Sequence, residues 1–284
     1  MFDDNTKFVA YNDLRWSGVL KAIPKSPNIL QPLFEAFTNS LESIRLRQQN
    51  GDKFESYIKI IMDYNSTLDG KGVDLSSLTI IDNGIGFDKE NYKRLITFKD
   101  DTKGFNNRGS GRLQMIHSFQ TAKYNSVYKE NGNIMQREFI LSKIHPFLSR
   151  NTIVYNVTGP SITDGEKQIE TILTMSQPLL PKDAKEFAKL GSDDIKKALL
   201  NHYMLALCNI KDNLPHIEIS YCVAGEIVDC DLIEKDDIPD PTQKDIVVSV
   251  PLCRISEDMK RVENVADSEV SINILPYKIK SENL

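Results

Sequence analysis

The sequence predicts an α+β protein built from two α+β units, a larger one over residues 1–178 and a smaller one over residues 179–284. Three observations carry this. The periodicity runs helix, strand, helix, strands, and then a second helix followed by more strands. Apolar residues recur at helical spacing in 27–49 but alternate strictly in 217–223. Pro178 and Pro181 punctuate the chain between the two series. At 284 residues the length admits one large domain or two ordinary ones, and with 40% hydrophobic and 26% charged residues a real core is available.

In residues 27–49, Ile29, Leu33, Phe37, Leu41 and Ile44 recur on one helical face, and Pro27 suits the helix start. Tyr57–Tyr64 reads as a strand, followed by a break over Asn65–Val73 rich in Asn, Ser, Asp and Gly. Leu78–Ile81 is a short buried strand running into the turn Asp82-Asn83-Gly84. Residues 89–110 are polar and end Gly-rich, which predicts a mobile loop or lid. A helix resumes at 111–121, with strands near 137–143, 152–157 and 168–175. Beyond the prolines, Ser192 caps a helix running to about Ile210. Strands follow at 217–223, 225–233, 245–251 and 269–275.

Several function classes are excluded or disfavoured. No run of about 18 apolar residues exists, so no membrane-spanning helix is expected. The N-terminus carries two acids and lacks the basic and apolar regions of a signal peptide, so a soluble, cytoplasmic protein is the expectation. A net charge of −5 argues against a surface that is basic overall, though not against a local basic patch. Cys208, Cys222, Cys230 and Cys253 form no CxxC pair and have no histidine at ligand spacing, so they read as reduced thiols rather than a zinc site.

Three polar clusters carry chemistry. Glu35 and Asn39 stand four apart on one helix face, about 6 Å from each other. A carboxylate there can activate water, and an amide oxygen one turn on can complete a magnesium shell otherwise made of phosphate oxygens and waters. Alone, the pair also reads as ordinary amphipathic-helix polars. In Asp82-Asn83-Gly84-Ile85-Gly86, a carboxylate at the end of a buried strand can accept a hydrogen bond from an exocyclic amine, while the glycines let backbone approach a flat ring. Alone, it also reads as a common strand-to-turn transition. Thr102-Lys103-Gly104 and Arg108-Gly109-Ser110-Gly111-Arg112 precede a helix, where backbone N–H groups and the helix dipole attract an anion. Alone, that run also reads as a solvated loop. Gly104 and Gly109 have Walker A spacing, but Ser110-Gly111 follows instead of Lys-Ser/Thr, so this is not a P-loop.

Taken in order, Glu35-Ala-Phe-Thr-Asn39-Ser40, then Asp82-Asn-Gly84-Ile-Gly86 about 45 residues later, then Gly109-Ser110-Gly111 some 25 residues on, resemble the ATPases of the gyrase, heat-shock chaperone, histidine-kinase and mismatch-repair (GHKL) superfamily. The resemblance covers about residues 20–122 and fades through 175. It implies a Bergerat-type α/β sandwich, with helices on one face of a mixed sheet beneath a lid, and it implies ATP and magnesium as cofactors. By motif position, Glu35 would be the general base, Asn39 the magnesium ligand, and Asp82 the acceptor for the adenine amine. Gly84 and Gly86 would shape the base pocket, Lys103 would reach the phosphates, and Gly109, Ser110 and Gly111 would offer them backbone donors. Thr171 resembles a threonine that supports the adenine-binding aspartate, although Glu170 stands where the family has glycine.

Residues 192–223 look similar to the start of the transducer domain in chaperone, mismatch-repair and microrchidia-type members, which implies a smaller transducer-like domain over 179–284. Lys244 is matched with the transducer lysine that reaches the γ-phosphate in some of them; its ordinary reading is a solvated surface lysine. The histidine-kinase branch is disfavoured, since no histidine precedes His117.

The expectation is therefore slow, magnesium-dependent ATP hydrolysis driving lid closure and a homodimer or partner clamp, with ATP and ADP as ligands. Two alternatives stand beside it: a non-catalytic nucleotide-sensing module, or an ATPase subunit of a nucleic-acid-processing or anti-phage complex. In the latter, nucleic acid would be reached only through a partner or a region absent from this sequence.

Overall fold

The computed structural model describes residues 15–97 (except 68, 69 and 71), 111–241, 246–255, 262–274 and 277. A first helix, α1 (Trp16–Ala22), precedes α2 (Gln31–Gln49). α2 buries Leu33, Phe34, Ala36, Phe37 and Ile44. It starts at Gln31 rather than at residue 27 because Asn28 closes a turn ahead of it: Asn28 Oδ1 accepts from Leu30 N at 2.9 Å, and Asn28 O accepts from Gln31 N at 3.2 Å.

The strands β1 (Tyr57–Ser66) and β2 (Val73–Asp82) pair antiparallel from Ile58↔Asp82 to Ser66↔Val73. The expected break at Asn65–Val73 is thus narrower, with β1 running to Ser66, β2 starting at Val73 and Thr67 N donating to Gly72 O at 2.9 Å, and β2 is longer than the expected Leu78–Ile81. α3 (Lys89–Ile96) occupies the start of the stretch read as loop or lid; Asp88 caps it, its Oδ1 accepting from Asn91 N at 2.7 Å. The rest of that stretch, 98–110, lies outside the described residues.

α4 (Gly111–Ser118) ends sooner than expected because β3 (Phe119–Glu130) follows directly; this strand was not foreseen. β4 (Asn133–Leu141), β5 (Val154–Ile162), β6 (Glu170–Pro178), α5 (Pro181–Phe187) and α6 (Ser192–Ile210) come next, then β7 (His216–Val223), β8 (Glu226–Ile233), β9 (Ile246–Ile255) and β10 (Val262–Ile274).

The chain is thus a mixed α+β protein. Eight strands form one mixed sheet in the order β5-β4-β3-β6-β2-β1-β7-β8, all neighbours antiparallel except the parallel pair β1–β7. Alternation decides its faces. Ile58, Ile60, Met62 and Tyr64 of β1 are fully buried, while their neighbours Lys59, Ile61 and Asp63 are half-buried. α2 packs on β2, α4 on β3, and α5 on β2 and β6.

The chain divides into two compact units, Met1–Lys197 with Pro215–Ile233, and Ala198–Leu214 with Glu234–Leu284. The expected boundary at residue 178 does not coincide with this division. Ile217 and Ile219 of β7 are fully buried and stand in register with Ile58 and Ile60, so the strand extends the first core instead of opening a second. Within the second unit, β9 and β10 pair antiparallel, and Lys211 pairs with Asp240 at 2.7 Å. Among the described residues no helix is long and apolar enough to cross a membrane.

Candidate functional site

One row of the buried sheet face is polar. Across neighbouring strands Asp82 stands opposite Thr171, Thr171 opposite Ser126, and Ser126 opposite Arg137. All four are buried, and directly opposed residues share a face. Polar groups inside a core are costly unless they are paired, so such a row needs a reason.

Asp82 ends β2 and is 6% exposed. Ser40 of α2 donates to its Oδ2 at 3.0 Å, and Gly84 N donates to its Oδ1 at 3.0 Å. Burial pushes the Asp82 carboxyl up to about 6, against the donors Gly84, Ser40 and Ser43, with the Glu170 carboxylate adding to the upward shift. Each carboxylate oxygen has further lone-pair capacity for a donor.

The turn after Asp82 is seated on both sides. Ile85 N donates to Ser43 O at 3.0 Å, and a Cβ on Gly84 would lie 2.5 Å from the Ser43 backbone carbon. Gly86 has φ +75°, and a Cβ there would sit 2.8 Å from Ser126 Oγ and 2.9 Å from Tyr128 Cβ. Gly84→Ala must therefore push α2 away from the turn. It is expected to cost about 1–3 kcal/mol, read as a lower urea midpoint; a wild-type midpoint would contradict the close seating. Asn83, 3% exposed, faces elsewhere: its side chain accepts from Tyr57 N at 2.9 Å and donates to Glu55 O at 2.7 Å, fixing the start of β1.

Glu35 lies five residues before Ser40, about 7.5 Å along the α2 axis. It is half-buried, and Gln31 Nε2 donates to its Oε1 at 3.0 Å. Its other oxygen rests against Gly111, the first residue of α4, where a Cβ would come within 2.0 Å of Oε2. Arg112 Nη2 donates to Thr97 O at 2.9 Å, tying the start of α4 to the end of α3. Asn39, next to Ser40, is exposed.

α2 thus carries Glu35 and Asn39 and holds Asp82 through Ser40, while Gly84 and Gly111 press against it and Thr171 stands beside Asp82. Gly86 borders the same turn. Lys103, Gly109, Ser110 and Lys244 lie outside the described residues. Ser126 was missed because β3 was not read as a strand; the signal was a small hydroxyl at an inward position of the alternation Ala122, Tyr124, Ser126, Tyr128. His117, 8% exposed, is structural: its Nε2–H donates to Ile23 O at 2.8 Å, and burial with the nearby Lys143 pushes its pKa down.

A separate open cavity of about 400 Å³ is lined by Glu55, Tyr57, Lys59, Gln168, Glu170 and His216, with Ser56 and Ile81, and contains none of the predicted site residues. Tyr57 OH donates there to Glu170 Oε2 at 2.6 Å, and burial pushes its phenol pKa well up.

No family model and no curated protein matches this chain. Among solved structures it is similar to the crystal structure of the N-terminal domain of a DNA repair protein, with 16% identity and a TM-score of 0.41 over 78% of this chain. The match spans 60% of that structure's own length.

Proposed function

We propose that this chain is a GHKL-type, magnesium-dependent ATPase, with its nucleotide held between α2 and the Asp82–Gly86 turn on a Bergerat-type sandwich. The observation that carries this reading is the shared wall. One helix presents the Glu35 carboxylate at one end and, about 7.5 Å along its axis, anchors the buried acceptor Asp82 through Ser40 at 3.0 Å.

In this reading Asp82 accepts the exocyclic amine of the base, and the phosphates run along α2 toward Gly111, where backbone donors at the start of α4 meet negative charge. Glu35, placed against that helix start, takes a proton from the attacking water. A clamp cycle favouring a homodimer or partner-bound state belongs to the same proposal; the segment that would cover the site lies outside the described residues.

The donor set fits magnesium. Among the described residues no cluster of three or more His, Cys, Asp or Glu forms a metal cage. Asn39 offers one exposed amide oxygen, one turn from Glu35. Few protein ligands suit a cation that keeps its waters and takes the rest from phosphate. Asn39 would hold it, and its chemistry there is neutralisation of phosphate charge. Asn39→Ala is expected to remove most of the magnesium dependence of ATP affinity in calorimetry; an undiminished response to magnesium would refute the ligand assignment.

The reading as a whole is tested by steady-state phosphate release with Glu35→Ala as the blank. Release above the blank supports the ATPase. ATP binding with no release above the blank moves the assignment to a nucleotide-sensing module.

A further inference from the structure

Ser126 occupies an unusual place: fully buried, on the strand β3, one register position from Thr171. Its Oγ accepts from Phe87 N at 3.0 Å and lies 2.9 Å from Thr171 Oγ1. Geometry alone allows either hydroxyl to donate. Thr171 Oγ1 is the acceptor the structure offers to the Ser126 proton. Whichever hydroxyl donates, the other's proton needs a second acceptor, because both side chains are buried; a base whose ring nitrogen accepts from Thr171 supplies that acceptor only when Ser126 donates to Thr171.

With a base held in this way, Ser126 would donate to Thr171 and the Thr171 proton would serve the base. Thr171 is 5% exposed and stands directly opposite Asp82. The chain Phe87 N–H to Ser126 O–H to Thr171 O–H also polarises each member along one direction, which strengthens the last donor.

We infer that Ser126 is a positioning residue that sets Thr171 as a hydrogen-bond donor beside the acceptor Asp82, so that the pair reads an amidine edge: a ring nitrogen acceptor next to an exocyclic amine. This rests on the nucleotide-site reading above. The acceptor comes from Asp82 and the donor from Thr171, but the direction of the donor comes from Ser126, which does not touch the base. The same hydroxyl anchors the turn through Phe87, so base recognition and turn position share one atom.

The test compares the equilibrium affinities of Mg·ATP and Mg·1-deaza-ATP, the latter lacking only the ring nitrogen beside the amine. The wild type is expected to prefer ATP by about five- to tenfold, the size of one neutral hydrogen bond. Thr171→Val should bring the ratio to one, Thr171→Ser should keep it, and Ser126→Ala should reduce it to about twofold or less. In the double variant Ser126→Ala with Thr171→Val, the ratio should equal that of Thr171→Val alone. If Ser126→Ala weakens both ligands by one factor and leaves the ratio at its wild-type value, Ser126 merely holds the turn and the inference is overturned. A wild-type ratio of one overturns it as well. If the wild type binds neither nucleotide, the nucleotide reading itself fails, a distinct result that takes the inference with it.

Discussion

Asp82→Asn is expected to weaken nucleotide binding by about a hundredfold while raising the stability of the free protein. The two effects share one cause. In the fold the Asp82 carboxyl sits at about 6, above its ordinary value of 3.8, because burial penalises its charge. Folding therefore takes up a proton between about pH 4 and pH 6. Stability contributed at this group falls as pH rises through that window, and the full cost, of the order of 3 kcal/mol, is present at pH 7.

Asparagine removes the charge and keeps two of the pairings: its oxygen can accept from Gly84 N, and its amide can donate to Ser40, which turns to accept. The thermal midpoint at pH 7 should rise by several degrees, and the gain should vanish when wild type and variant are compared at pH 4. Binding moves the other way, because the asparagine amide then meets the base amine donor to donor, and a hydrogen bond to a charged acceptor is lost. Unchanged affinity would remove Asp82 from the site; a lowered midpoint at pH 7 would show that its charge is not the burden described here.

Glu35→Ala is expected to reduce turnover at least about a hundredfold, the usual span for a lost general base, with ATP affinity within a few fold of wild type. Gly111→Ala should do nearly the same from the other side. The new Cβ would lie 2.0 Å from Glu35 Oε2, the far end of a flexible side chain, so the carboxylate swings away and the backbone stays. Alanine also suits the first turn of a helix better than glycine, so the melting temperature should hold or rise slightly. This contrasts with Gly84→Ala, where the obstacle is the backbone of Ser43. Full activity in Gly111→Ala would show that the close approach of Glu35 to α4 plays no part in the chemistry, and equal loss of binding and turnover in Glu35→Ala would contradict a base role.

What the sequence made legible follows the physics of periodic signals. α2 stood out because apolar residues recur at helical spacing, and Leu33, Phe37 and Ile44 among them lie on the face that the fold buries, while its polar pair is read from the same helix. The Asp82 turn stood out because a run of buried aliphatics stops at a carboxylate followed by two glycines. α3 was hidden because it is short and none of its residues is fully buried, so Tyr92, Leu95 and Ile96 make only a brief stripe; its clearest signal was the cap at Asp88. β3 was hidden behind α4, with no turn residue between Ser118 and Phe119, and its inward Ser126 interrupts the apolar alternation. The parallel pairing of β7 with β1 was out of reach because it joins residues some 160 apart, and no local pattern announces it. The functional side of Ser126 was out of reach for the same reason: it acts through cross-strand register, which sequence spacing does not encode.

In the proposed site, α2 and the Asp82 turn enclose one magnesium–ATP. The most direct measurement is a crystal structure of the full chain grown with magnesium and a non-hydrolysable ATP analogue. The base amine is expected within hydrogen-bond distance of Asp82 and the terminal phosphate near Glu35 and Gly111. A nucleotide seated instead in the cavity beside Tyr57 and Glu170, or one whose phosphates turn away from α2, would contradict it.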